Sequence, residues 1–219
     1  MPSATLEEYL EAIYKLAEKG DVRPTLIADA LGVSGPTVTA TLGRLQTAGL
    51  VARPAGGGVT LTDDGTAQAV SIIRRHRLAE VFLHDVLGLA WDVVHDEACH
   101  LEHALSPRVA DALERFLRDP ERCPHGHLIP RADGTMPARE SIPLTDAEVG
   151  GRYAVTQVDE EGGEDFLVYL GKLGLYPGTE LDVVEAAPFD GPITIRIGKR
   201  RHAVGRAAAA RVSVGAVRG

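Results

Sequence analysis

Leu26-Ile27-Ala28-Asp29-Ala30-Leu31-Gly32-Val33-Ser34-Gly35-Pro36-Thr37-Val38-Thr39-Ala40-Thr41-Leu42-Gly43-Arg44-Leu45 reads as two short helices that cross closely at a glycine turn. Ala28, Leu31 and Val33 face inward, as do Val38, Leu42 and Leu45. Ser34 suits a helix N-cap, and Pro36 sits early in the second helix, where its missing N–H costs nothing. Ser34, Thr37, Thr39 and Thr41 leave short hydroxyls on the face expected to be exposed. Upstream, Leu6, Leu10, Ile13 and Ala17 predict a helix over 4–19 that Gly20 ends, with another over 23–31. The helix that starts at about 35 runs to 48 and stops at Gly49. Leu50-Val51-Ala52-Arg53, Pro54-Ala55-Gly56-Gly57-Gly58 and Val59-Thr60-Leu61-Thr62 then read as strand, turn and strand. Three helices and a hairpin in about 60 residues make a winged helix-turn-helix. Such a recognition helix reads base edges from its N-terminal residues, which makes Ser34, Pro36, Thr37 and Thr39 candidate DNA contacts. Arg44 and Arg53 are candidate phosphate contacts. The alternatives are a helical hairpin used only for packing and two solvated arginines.

Beyond the wing, Asp63-Asp64-Gly65 opens a helical stretch, with helices expected at about 65–88, 92–105 and 107–118, punctuated by Gly88 and Pro107. Pro120 to Pro143 reads as a linker with local structure. From 148 onward Val, Ile, Thr and Tyr alternate with polar residues, predicting a small β-barrel of about five strands. The fold class is therefore α+β: a winged helix over 1–64, an all-helical region with linker over 65–142, and a small SH3-like barrel over 143–219. No GxGxxG or GxxxxGK[ST] loop is present, and the glycines at 56–58 precede a strand, so they form a wing tip and not a phosphate cradle.

The composition narrows the classes further. The chain has 219 residues, 44% of them hydrophobic, which excludes wholesale disorder. No apolar run approaches 18 residues, so no membrane-spanning helix and no membrane partner are expected. The N-terminus lacks a basic n-region and an apolar h-region, so a cytoplasmic location is expected. Cys99 and Cys123 are too few for a disulfide framework. The net charge of -8 removes any whole-chain basic footprint, so DNA binding has to rest on a local surface.

The segment Asp92 to Leu105 carries a second pattern. Val94, Ala98, Leu101 and Leu105 form a core stripe. One residue further on, His95, Cys99 and Glu102 form a parallel stripe with His103 beside it, all of metal-ligand type and on one helical face. His76 and Glu80 share a face of the preceding helix, and Glu8 and Glu11 share one of the first. Each pair alone reads more readily as a solvated surface pair than as a site. Mixed oxygen, nitrogen and sulfur donors suit a divalent transition ion better than calcium, magnesium or a structural zinc. Cys123-Pro124-His125-Gly126-His127 reads either as a polar turn or, with Glu80 near, as part of a second site.

Taken together, Glu8-Tyr9-Leu10-Glu11-Ala12-Ile13-Tyr14, Ser34-Gly35-Pro36-Thr37-Val38, Arg75-His76-Arg77-Leu78-Ala79-Glu80, His95 to His103 and Cys123-Pro124-His125-Gly126 resemble the diphtheria-toxin-repressor family of metal-dependent transcriptional regulators, including its manganese-transport-regulator branch. The resemblance covers the whole chain and gives the C-terminal part the likeness of the ferrous-transport A protein. It implies a homodimer that binds a palindromic operator when its metal is present, with two metal sites per protomer. Glu8, Cys99, Glu102 and His103 correspond to the primary site. His76, Glu80 and His95 correspond to the second, which in the streptococcal manganese regulators recruits the positions of Cys123 and His125 and a barrel acid, here Glu160 or Asp159, with Glu164 as a further candidate. The iron branch pairs methionine with cysteine at the positions of Glu8 and Cys99, and the manganese branch has a carboxylate at both. This chain has the acid at 8 and the thiol at 99.

Glu8, Glu11, Glu80 and Glu102 outnumber the thiols, and hard carboxylates suit Mn(II), the weakest binder of the first-row series. The expected function is thus a Mn(II)-dependent DNA-binding regulator, a repressor of metal-uptake genes, with Fe(II) as the alternative activator. No small-molecule substrate and no enzyme activity are expected. A metalloenzyme with Glu102 as base leaves the winged helix unexplained. A thiol redox regulator using Cys99 and Cys123 is the other rival, and chelation without oxidant discriminates against it.

Overall fold

The computed structural model describes residues 3–137 and 141–217. Met1 and Pro2, at the start of the segment read for a leader, and residues 138–140 of the linker stretch lie outside the described residues. The first helix, α1 (Ala4–Ala17), buries Tyr9, Leu10 and Ile13. α2 (Pro24–Leu31) starts with its proline in the first turn and ends on Gly32, whose left-handed backbone (φ 62°) caps it. α3 (Gly35–Thr47) is capped by Ser34, whose Oγ accepts from the Thr37 amide at 3.4 Å. Thr41 is buried, not exposed as expected, because it shares the core face with Val38 and Leu45 at steps of three and four. β1 (Val51–Ala52) and β2 (Thr60–Leu61) pair antiparallel with Val51 opposite Leu61. Leu10, Ile13, Ile27, Val38, Leu42 and Leu45 are fully buried in the core beneath this wing.

α4 (Asp63–Val81) opens on Thr62, whose Oγ1 accepts from the Gly65 amide at 3.0 Å and donates to the Gly49 carbonyl at 2.8 Å. Gly65 has to be glycine: a Cβ there would stand 1.9 Å from the Leu50 carbonyl oxygen. The helix expected to reach 88 changes winding after Val81 and ends as a π-turn over Phe82–Val86. α5 (Val94–Glu102) and α6 (Pro107–Phe116) follow. The chain divides into two compact units. One holds the chain up to His76 with His100–Leu113 and Pro130–Met136, and the other holds Arg77–Cys99, Glu114–Ile129 and the chain from Pro137.

In the second unit, β3 (Ile142–Pro143), β4 (Arg152–Val158), β5 (Glu180–Ala186), β6 (Ile193–Ile197), β7 (Arg200–Val204) and β8 (Val212–Ala216) form one antiparallel sheet in the order β3-β8-β4-β5-β6-β7. Five of these strands fall where five were expected. The barrel expected there is not closed: β3 and β7 are the two edges of the sheet. Closure would need β3 to carry a second ladder, but it is two residues long and Pro143 has no N–H to give. α7 (Glu164–Leu173), inside the stretch read as strands, follows the helical spacing of Leu167, Leu170 and Leu173 and is ended by Gly174. α8 (Arg206–Ala209) is a single turn before β8. No helix among the described residues is long and apolar enough to cross a membrane.

Candidate metal centre

In the first unit, α4 and the end of α5 bring buried charges together. His76 Nδ1 lies 2.6 Å from Glu102 Oε2, and both side chains are almost fully buried. His103 Nε2 lies 3.4 Å from Glu102 Oε1. Burial raises the Glu102 carboxyl above its ordinary value; the hydrogen bond from His76 opposes the shift and the charge of Glu11 adds to it. Glu11 itself holds Lys15 at 3.2 Å. Glu8 is exposed on α1, and the acid that the structure places against His103 is its neighbour Glu7, with Oε2 2.7 Å from His103 Nδ1.

In the second unit, Glu80 is completely buried near the end of α4. Its Oε1 lies 3.0 Å from His125 Nδ1 and 3.3 Å from His95 Nδ1. Glu80, Cys123 and His125, all buried, each offer a ligand atom within 4.8 Å of the other two, and Glu80, His95 and Glu160 do the same. Cys99 is exposed, with its sulfur 3.8 Å from His95 Nε2. Burial pushes the Cys123 thiol well above its usual range, and the charges of Glu80 and Glu160 push the same way. Burial pulls His125 down, but the hydrogen bond and charge of Glu80, with Glu160 and the Trp91 carbonyl, outweigh it and hold the imidazolium above its ordinary value.

The Cys123–His127 segment is a structured turn seated on β4. The Gly126 amide donates to the Cys123 carbonyl at 2.8 Å, the Cys123 amide to the His127 carbonyl at 2.9 Å, and the Val158 amide to the His125 carbonyl at 3.0 Å. Gly126 has φ 87°, and a Cβ on it would meet the Thr156 carbonyl oxygen at 2.2 Å, so only glycine lets the turn lie this close. Trp91 Nε1 donates to the Pro124 carbonyl at 3.0 Å. His127, which the sequence reading offered with His125 as part of a second site, has its Nε2 2.5 Å from Glu160 Oε2 and 2.8 Å from the Val158 carbonyl. Asp159 is half-buried, and its amide donates to the Arg211 carbonyl at 2.9 Å.

These donor sets fit a divalent transition ion. Carboxylate, imidazole and thiolate converge in buried positions, where an unneutralised acid is costly. Glu7, Arg75 and Trp91 were given no role by the sequence reading. For Glu7 a signal existed, because it stands three residues before Leu10 and seven before Tyr14, on the edge of the apolar stripe.

On α3, Ser34, Pro36, Thr37 and Thr39 are all exposed, as are Arg44 on the same helix and Arg53 just beyond β1. Ser34 Oγ and Thr37 Oγ1 lie 2.8 Å apart, and Thr39 Oγ1 donates to the Gly35 carbonyl at 3.0 Å. The hydroxyls of Thr37 and Thr39 therefore each keep an acceptor lone pair for an outside donor.

Comparison with known proteins agrees with this architecture. Residues 1–59 match the family described as the iron dependent repressor N-terminal DNA binding domain, 62–131 the iron dependent repressor metal binding and dimerisation domain, and 142–215 the FeoA domain. The chain is 37% identical over 206 residues to the iron-dependent repressor IdeR of Mycobacterium tuberculosis, covering 88% of each. It is 36% identical over 202 residues to the diphtheria toxin repressor of Corynebacterium diphtheriae, covering 87% of this chain and 88% of that one. A solved manganese-dependent transcriptional repressor in complex with manganese superposes with a TM-score of 0.90 at 34% identity, covering 97% of this chain and 100% of the other. With DNA-binding, metal-binding and dimerisation modules in that order, the chain belongs to the diphtheria-toxin-repressor family of metal-dependent transcriptional repressors.

Proposed function

We propose that this repressor is switched on by Mn(II) and, as a homodimer, binds a palindromic operator upstream of metal-uptake genes. The observation that carries the reading is the burial of Glu80 and Glu102 among histidines, where a bound cation has charges to neutralise. Two sites per protomer are assigned. Glu8, Cys99, Glu102 and His103 form the primary set, taken from the family resemblance. His76, Glu80, His95, Cys123 and His125 form the second, with Glu160 as its barrel acid in preference to Asp159, because Glu160 is the one that lies within ligand distance of Glu80 and His95. The three-part division at 1–64, 65–142 and 143–219 belongs to the same reading.

A divalent ion supplies, when bound, the positive charge that makes gathering these acids favourable. The residues do the rest. Glu102 and Glu80 hold their carboxylates away from water, and His76, His95, His103 and His125 orient them. Glu8 and Glu11 carry the switch to α1 and thus to α3. Two recognition helices have to meet successive major grooves about 34 Å apart, so their spacing sets operator affinity. A preference of about 3 kcal/mol for the competent arrangement shifts it roughly a hundredfold. Ser34, Pro36, Thr37 and Thr39 face the bases, and Arg44 and Arg53 the phosphates.

Fe(II) is the second reading. It is favoured by the two thiols and by the iron-dependent name of the Mycobacterium relative. The manganese reading is favoured by the acid at position 8 and by the manganese-named structural neighbour. Anaerobic titration with buffered free Mn(II) and Fe(II), read by anisotropy of a duplex selected from a random pool, separates them. Half-activation at lower free Mn(II) supports the proposal; half-activation at much lower free Fe(II) overturns it in favour of iron.

A further inference from the structure

Glu7 is a buried acid to which the ligand assignment gives no part. It is 5% exposed, and both its oxygens are engaged. Oε1 accepts from Arg75 Nη2 at 3.0 Å, and Oε2 lies 2.7 Å from His103 Nδ1. Arg75, 4% exposed, is itself anchored by Nη1 donating to the Leu105 carbonyl at 3.1 Å. On the far edge of the same imidazole, His103 Nε2 faces Glu102 Oε1 at 3.4 Å, a separation that two ligands each about 2.1 Å from one ion can take. The two ring nitrogens point in divergent directions, so the group on Nδ1 cannot share an ion held at Nε2.

We propose that Glu7 is a positioning residue for the metal site. It accepts the hydrogen of His103 Nδ1, locks the ring in that tautomer, and so presents the Nε2 lone pair beside Glu102 as a ligand. A carboxylate behind a ligating histidine fixes its orientation and raises its basicity. Arg75 keeps that carboxylate from rotating away. Because Glu7 lies on α1, the posture of this helix and the readiness of His103 are linked before any ion arrives. The inference rests on the reading of Glu102 and His103 as metal ligands.

The test uses the full-length metal-free protein. Long-range 15N–1H correlation at pH 8 reads the His103 tautomer, and Mn(II) affinity is read from the electron paramagnetic resonance signal of the free ion. In the wild type His103 carries its hydrogen on Nδ1. Glu7→Ala lets the ring revert toward the Nε2–H form and weakens Mn(II) binding about 10- to 100-fold, the usual range for a lost partner behind a ligand. Glu7→Gln keeps an acceptor and retains most of both. If Glu7→Ala does not fold with Arg75 left unpaired, the double variant Glu7→Leu with Arg75→Met removes the buried pair together and is expected to show the same tautomer change. An Nε2–H tautomer in the wild type overturns the proposal. So does wild-type Mn(II) affinity in folded Glu7→Ala, or in the Glu7→Leu with Arg75→Met double variant, while His103→Ala loses binding. Unchanged binding in His103→Ala instead overturns the ligand assignment itself.

Discussion

Gly65→Ala is the substitution for which the structure sets the sign most sharply. In most helices this change is mildly favourable, because alanine exceeds glycine in helix propensity by about 1 kcal/mol. At Gly65 the added Cβ would stand 1.9 Å from the Leu50 carbonyl oxygen and 2.9 Å from its carbon, with Leu61 Cδ2 at 3.3 Å. The first two are backbone atoms at the entrance to β1, so no rotamer change relieves the contact. The Thr62 amide also donates to the Leu50 carbonyl at 3.0 Å, so pushing that group away loosens the wing from α4. Overpacking of this kind costs about 3 kcal/mol, and setting about 1 kcal/mol of propensity against it leaves a net loss of about 2 kcal/mol. Gly43 in α3 is the control, since a Cβ there meets nothing within 4 Å. Gly43→Ala is therefore expected to stabilise by about 0.8 kcal/mol. Amide hydrogen exchange by mass spectrometry reads both locally. Peptides spanning 50–66 should exchange roughly thirty-fold faster in Gly65→Ala, and those of α3 roughly four-fold slower in Gly43→Ala. Unchanged or slower exchange of the 50–66 peptides in Gly65→Ala would refute the account of how the wing is seated.

Three further outcomes follow from the site and the DNA face. Glu102→Ala should leave a folded dimer by light scattering but lose the roughly hundredfold metal-dependent gain in DNA affinity; an unchanged gain would remove Glu102 from the switch. The Cys123 thiol is raised by burial, so it is protonated in the metal-free protein, and stability should fall as pH rises above the ordinary thiol value of 9.0, because the unfolded chain ionises first. Cys123→Ser should flatten that limb of a urea-denaturation series and also reduce the proton release on metal loading, measured by calorimetry in two buffers. Replacing Arg44 and Arg53 by alanine should lower the slope of log affinity against log salt by about 3 to 4 for a dimer, as expected for roughly four released phosphate contacts; an unchanged slope would place both arginines off the DNA.

The sequence carried the helix-turn-helix plainly because local signals agree there: the cap at Ser34, the proline after it, the glycine turn and the periodicity of Val38, Leu42 and Leu45 all point one way. The helix over 164–173 was hidden because its Leu, Val and Tyr residues sit among true strands, and only the spacing of Leu167, Leu170 and Leu173 tells it apart. Ligand-type residues on α4 and α5 were legible from spacing alone. Their partners were not, because pairing across elements is a tertiary property. His76 meets Glu102, and His125 meets Glu80 through a turn that depends on Gly126 lying against Thr156. Glu7 was passed over for Glu8 because single-residue rotation about α1 separates a buried acid from an exposed one, and two adjacent glutamates look alike until the core is packed.

The central claim is that metal, acting through these buried acids, turns DNA binding on. Its most direct measurement is the affinity of the full-length protein for a selected duplex, by fluorescence anisotropy, in saturating Mn(II) and then in excess chelator under reducing conditions. The account predicts about a hundredfold weaker binding in chelator, restored by adding Mn(II) back, with no oxidant involved. Equal affinity in the two conditions would contradict it.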